Sequence, residues 1–169
     1  IEARLTAHEA QGRTVTMLAS STQVLAIFAV ADTIKESSRE AIAELHALGV
    51  ASVMLTGDNV ATAMAIAKQA GIDDARGNLL PEDKLAAIEE LQRRYGCVAM
   101  TGDGINDAPA LARSDIGFAM GGAGTDTAME SADVVIMNDD LRRIPEAIRL
   151  SRKAQSILRQ NIALALGIK

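Results

Sequence analysis

The chain has 169 residues, 49% hydrophobic and 23% charged, with a net charge of −5, which suits one domain with a real core and excludes a disordered composition. Aromatics make up 2% and Trp is absent, which argues against a base-stacking platform, and the acidic balance argues against nucleic acid as a partner. The single cysteine, Cys97, excludes an internal disulfide and a cysteine-based zinc site.

Residues 1–12 read as the end of a short helix and a turn. They contain no long apolar region of signal-peptide type, and the chain opens without Met, in mid-pattern, as a cut fragment would. Arg13 to Ala19 alternate as a strand, Ser20–Gln23 read as a turn, and Val24 to Ala31 as a second strand, a β-hairpin at the edge of something larger. Ser37-x-x-Glu40 is a candidate capping box. The helix after it places Ile42, Leu45 and Leu48 on one face and stops at Gly49. Val50 to Leu55 is an apolar run of the kind buried on both faces of a parallel sheet. Helices are expected over Val60 to Ala70 and from Pro81, a first-turn proline, to about Tyr95, with Leu85, Ile88 and Leu91 inward. Strands are expected at Cys97–Met100, with Cys97 an inert core residue, at Ile116–Met120 and at Val134–Met137. Thr125 is expected to cap a short helix to Ala132. His8 and His46 are isolated and read as surface residues, not metal ligands. The βαβ alternation predicts an α/β fold, an open parallel sheet covered on both faces.

From Asp140 the pattern becomes one long helix. Residues 141–169 carry seven basic groups against one acid, Glu146, a local +6 that leaves −11 on the remainder. An acidic body with a basic, apolar-ending tail points to a membrane surface. The apolar run from Ile162 to Ile168 is too short to span a bilayer, and is expected to be the first turns of a truncated spanning helix.

Three stretches carry chemistry. Thr56-Gly57-Asp58 offers a hydroxyl and a glycine-permitted backbone amide to phosphate oxygens. Lys84, near a helix N-terminus, adds a point charge. In Thr101-Gly102-Asp103-Gly104-Ile105-Asn106-Asp107, the carboxylates of Asp103 and Asp107 suit a hard cation such as Mg²⁺, and Asn106 donates to a phosphate or steadies a carboxylate. Alone, each has an ordinary reading: a turn, a solvated lysine, a turn or calcium-like loop. Together, at the rim of one parallel sheet, they supply the parts of phosphoryl transfer.

Met54 to Asn59, Leu80 to Lys84 and Thr101 to Leu111 closely resemble the phosphorylation domain of P-type cation-transporting ATPases, within the haloacid dehalogenase superfamily, over nearly the whole chain. The resemblance implies a haloacid dehalogenase-like Rossmann sheet. It also implies that Thr56 and Lys84 hold the phosphoryl group, and that Asp103 ligates Mg²⁺ with Asp107 and Asn106 in support. ATP is then the substrate of the intact protein. Met120 to Ala128, Asn138 to Arg142 and Arg159 to Lys169 look like the heavy-metal branch. The Gly167-Ile168-Lys169 ending is similar to zinc/cadmium/lead exporters and places Lys169 near the ion path. The other reading of Lys169 is a lysine snorkelling at the interface.

The pattern also breaks. The family's nucleophile motif, Asp-Lys-Thr-Gly-Thr, is absent. Asp32 follows an apolar strand, but Ile34 stands where the family has Thr, so the region instead resembles the hinge returning from the nucleotide-binding domain. The expectation is therefore a tail of that domain (1–31), a phosphorylation core lacking its nucleophile strand (32–140) and a basic helix entering the membrane (141–169). Its partners would be the missing actuator, nucleotide-binding and membrane regions, the membrane itself and a divalent heavy metal. It would lie mainly on the cytoplasmic side of a cell membrane and be inactive alone. Two other readings remain: a free-standing phosphatase of the same superfamily, and a non-catalytic partner module.

Overall fold

The computed structural model describes residues 2–9, 13–31, 34–103, 105–122 and 124–167. After helix α1 (Glu2–Glu9), strands β1 (Arg13–Ala19) and β2 (Val24–Ala31) pair antiparallel, Arg13 opposite Ala31. The turn between them is built by Ser20, whose Oγ accepts the N–H groups of Thr22 (3.3 Å) and Gln23 (3.1 Å). Leu25, Phe28 and Val30 on β2 are all more than half exposed, so the hairpin has no core of its own.

The rest is an α/β body. Helix α2 (Glu36–Ala47) ends in a Schellman motif, with Gly49 N–H on His46 O (2.9 Å) and Val50 N–H on Leu45 O (3.0 Å). Gly49 supplies the required left-handed residue, φ 79°. Strand β3 (Val53–Leu55) runs through helix α3 (Val60–Ala70) to strand β4 (Asp74–Arg76), its parallel neighbour. Helix α4 (Pro81–Tyr95) leads to strand β5 (Ala99–Gly102). A 3₁₀ turn (Ile105–Asp107), helix α5 (Ala108–Arg113), strand β6 (Ile116–Met120), helix α6 (Asp126–Ser131), strand β7 (Val134–Ile136) and the long helix α7 (Arg143–Gly167) follow. Strands β5, β6 and β7 form a second parallel sheet in that order.

The core lies on both faces of this second sheet. On one side Ile88 of α4, Ala110 and Leu111 of α5 and Ala128 of α6 close on Met100 and Ala119. On the other, Phe118 and Ile136 meet Ile144 of α7, with Leu45 of α2 against them. Alanines with no exposure at 41, 63, 110, 119 and 128 let backbones approach closely, which is how a chain so poor in aromatics packs.

Several expectations are corrected. The strands do not form one open sheet: among the described residues, β3 pairs only with β4 and β5 only with β6, leaving each with one edge unmatched. For the same reason β3 is three half-buried residues rather than the six-residue, doubly buried strand expected. Ser37 caps nothing, because α2 begins at Glu36 with Lys35 at its cap, so Ser37 already lies inside the first turn. Cys97 is exposed, since the strand starts two residues later. Strand β4 was not anticipated, being short and mostly polar, and α7 begins at Arg143 because Asp140 is drawn into a turn with Arg142. His46 is exposed as expected but tied to Asp73 (2.9 Å).

Candidate functional site

The residues that the sequence singles out lie at the C-terminal tips of β3 and β5 and at the start of α4. After β3 the chain turns on itself: Thr56 Oγ1 donates to Asp58 Oδ2 (3.1 Å) and accepts from Asp58 N–H (3.1 Å). A second loop lies against this turn, with Asn78 N–H on Asp58 O (2.6 Å) and Leu79 N–H on Thr56 O (3.0 Å). The approach needs Gly77, where a Cβ would sit 2.7 Å from Asp58 O and from Val60 N. Asn78 takes the left-handed conformation, φ 57°, which Asn tolerates. Asn59 then caps α3, accepting from Thr62 N–H (2.8 Å).

Helix α4 begins where this second loop ends. The Asp83 carboxylate reaches back to Leu80 N–H (3.0 Å), and one turn on, Lys84 Nζ meets Asp107 Oδ1 at 2.6 Å. Their side chains are only 14% and 13% exposed, so this is a largely desolvated ion pair rather than a surface one. Asp107 ends the 3₁₀ turn and lies directly over Gly102, where a Cβ would be 2.7 Å from Asp107 Cβ. Asp103, next along, is exposed, and its carbonyl accepts Thr125 N–H (3.0 Å) from the start of α6. Asn106 is exposed on the same turn.

The fold thus unites Lys84, Asp107, Gly102 and Asp103 from elements far apart in sequence. Thr56, Gly57 and Asp58 form a separate, self-bonded turn at the tip of the other sheet. Among the described residues, no hydrogen bond or ion pair joins them to Lys84, Asn106 or Asp107. Asp32 and Lys169 lie outside the described residues. Gly102, Gly77 and Thr125 were not assigned site roles from the sequence. The Gly77-Asn78 dipeptide is a turn signal, but nothing local reveals that Gly102 makes room for a carboxylate five residues on.

A Mg²⁺ ion suits this corner. Asp103 and Asp107 offer only hard oxygen donors, one exposed and one folded over a glycine that leaves it space. No group of three or more His, Cys, Asp or Glu side chains converges among the described residues.

A family model described as haloacid dehalogenase-like hydrolase matches residues 1–115. The chain belongs to the haloacid dehalogenase-like hydrolase family. Within the range of sequences related to this hydrolase domain, a probable cadmium-transporting ATPase of Alkalihalophilus pseudofirmus is 51% identical over the whole chain. A copper-exporting P-type ATPase of Staphylococcus haemolyticus is 47% identical over 99% of it. A solved zinc-transporting PIB-type ATPase in its E2.Pi state superposes with a TM-score of 0.85 at 43% identity over 98% of the chain. The chain spans only 24%, 21% and 27% of these three proteins, respectively.

Proposed function

We propose that this hydrolase domain is the phosphorylation-domain portion of an ATP-driven exporter of zinc, cadmium or lead, working in a cell membrane from its cytoplasmic side. The observation that carries the reading is the 2.6 Å Lys84–Asp107 pair, lodged over Gly102 beside the open carboxylate of Asp103. Phosphoryl transfer needs charge neutralisation, a cation on the phosphate oxygens and short positioning donors, and little else from the protein. The higher identity to a cadmium transporter than to a copper exporter, and the likeness to a zinc transporter, support the choice of metal.

In this reading residues 1–31 close the nucleotide-binding domain, residues 32–140 are the phosphorylation core, and residues 141–169 lead to the membrane. The Thr56 hydroxyl donates to a phosphoryl oxygen, with the Gly57 amide and Asp58 shaping the same turn. Lys84 donates a charged hydrogen bond to the phosphoryl group and keeps Asp107 in place between turnovers. Asp103 and Asp107 would hold Mg²⁺, which neutralises phosphate charge when bound, and Asn106 donates alongside. The nucleophilic aspartate comes from a segment outside this chain. A strand carrying it would have a place to pair, since among the described residues β3 and β5 each have one edge without a partner strand. The transported ion, the actuator domain and the membrane helices are the other partners, and ATP is the substrate.

The experiment supplies the segment bearing Asp-Lys-Thr-Gly-Thr in trans and measures acid-stable phosphorylation from γ-labelled ATP. The expected result is no phosphorylation of this chain alone, phosphorylation of the added segment in the mixture, and its loss with Asp103→Asn or Lys84→Ala. Phosphoenzyme or p-nitrophenyl phosphate turnover by the chain alone would overturn the reading in favour of a free-standing phosphatase.

A further inference from the structure

Past the end of β7 stands a carboxylate that the proposed reaction does not use. Asp139 takes the left-handed conformation, φ 51°. Its N–H donates to Ile136 O (3.4 Å), the carbonyl that also accepts Gly121 N–H (2.8 Å). Its Oδ1 accepts Gly122 N–H at 2.9 Å. A Cβ at Gly122 would lie 2.5 Å from Asp139 Oδ2, so a side chain there would displace the carboxylate. Gly124 is pressed against the Met120 carbonyl so closely that a Cβ would overlap it. Thr125 caps α6, accepting Ala128 N–H (3.3 Å), and turns its own N–H onto the carbonyl of Asp103 at 3.0 Å. The backbone of Asp103 is therefore held by Thr125, which follows three residues along the chain from the Gly122 that Asp139 holds.

We propose that Asp139 is a positioning residue for the metal-binding carboxylate of Asp103, acting through Gly122 and Thr125. This rests on the reading of Asp103 as a Mg²⁺ ligand. A residue at position 139 must do two things: occupy a positive φ without strain and accept the Gly122 N–H. Asp and Asn do both, Gly does only the first, and Ala does neither. Loss of a partner that orients a metal ligand typically weakens metal binding about 10–100-fold. Asp139 acts through two intervening contacts, so its loss belongs at the low end of that range.

The test uses the ¹⁵N-labelled 169-residue chain, with Mn²⁺ in place of Mg²⁺. It reads line broadening at the Asp103 and Asp107 amides and hydrogen exchange at the Gly122 and Thr125 amides. Asp139→Asn is expected to keep both readouts. Asp139→Gly is expected to speed exchange at both amides and weaken Mn²⁺ binding about tenfold. Gly122→Ala, which drives the Asp139 carboxylate away, is expected to do the same, and the double variant to be no worse than either single one. Gly122→Ala also serves as the test should Asp139→Gly fail to fold. An Asp139→Gly chain with unchanged Thr125 exchange and unchanged Mn²⁺ response overturns the positioning role, as does Asp139→Asn behaving like Asp139→Gly. Broadening that persists in Asp103→Asn, or none at Asp103 in the unsubstituted chain, overturns the metal reading and this inference with it.

Discussion

Lys84 and Asp107 sit 23 residues apart and meet at 2.6 Å with little exposure. Removing one partner of a desolvated pair leaves the other charge poorly solvated, at a cost that approaches 3–5 kcal/mol when burial is complete. This pair retains some exposure, so Lys84→Ala is expected to cost about 1–3 kcal/mol. Urea unfolding of Lys84→Ala, Asp107→Asn and the double variant checks this: the coupling between the two sites should be positive, and additive costs would refute it. Gly102 is the companion case. A methyl group there collides with Asp107 Cβ at 2.7 Å, so Gly102→Ala is expected to lose about 1–3 kcal/mol through overpacking and to release the Lys84–Asp107 contact. The same shift of the Asp107 signal that Lys84→Ala produces would show the release by NMR. Thr56 differs from both, since its hydroxyl donates to Asp58 within its own turn.

At the scale of elements, α2 is tied to the first turns of α7 and to the residue before it. Glu40 meets Arg142 (3.0 Å), Glu44 meets Arg149 (2.6 Å), and the last carbonyl of the ladder, Leu48 O, accepts from Arg152 (3.2 Å). The glutamates are four residues apart, one turn of α2, so one face of that helix carries the whole acidic side. These groups are roughly half exposed, so each pair is worth less than about 1 kcal/mol and is screened by salt. Glu40→Gln/Glu44→Gln is therefore expected to leave global stability within about 1 kcal/mol while speeding amide exchange in the first turns of α7. The same acceleration should appear in the unsubstituted chain at 1 M salt; exchange insensitive to both changes would mean that apolar packing at Ile144 and Ile148 alone holds the helix. Beyond Arg149 every described residue of α7 is exposed, including Leu150, Leu158 and Leu164, and no helix of the described residues is long and apolar enough to cross a membrane.

The whole molecule carries a set of carboxylates that fold into hydrogen-bonded positions. The Arg142 guanidinium and its backbone N–H hold Asp140 down to about 2. Backbone N–H donation from Ser52 lowers Asp73, and from Val98 lowers Asp115, while Arg76 lowers Glu90. A depressed carboxylate stabilises the fold fully above its unfolded value, about 3.8 for Asp and 4.5 for Glu, and loses that contribution as pH falls through its folded value. Thermal melts are thus expected to be flat between about pH 6 and 5, and to fall progressively from about pH 4.5 towards 2 as these groups protonate. A midpoint that holds constant down to pH 2.5 would show that these contacts contribute nothing to folding.

Much of this molecule is legible locally. Helices α3 and α4 and strands β1, β2 and β6 follow the sequence expectation residue for residue, because their ends carry their own stop signals: Asn59 and Gly71, Pro81 and Gly96, the Ser20 turn. The sequence places a hydroxyl, a lysine and carboxylates in that order, and the structure brings the lysine to one of the carboxylates, Lys84 to Asp107. What the chain alone could not reveal depends on contacts between distant segments. Whether β3 and β5 join one sheet is decided by pairing between distant segments, and among the described residues no strand bridges them. Whether Asp107 is a free ligand or a lysine partner is decided by α4 docking its first turn against the 3₁₀ turn. Whether Asp139 matters to Asp103 is decided by two hydrogen bonds that cross 17 and 22 residues of sequence. Local periodicity and turn chemistry set the elements and the chemistry they carry. Packing set which of those groups stand within reach of one another, because desolvated pairs and glycine clearances exist only once the elements meet.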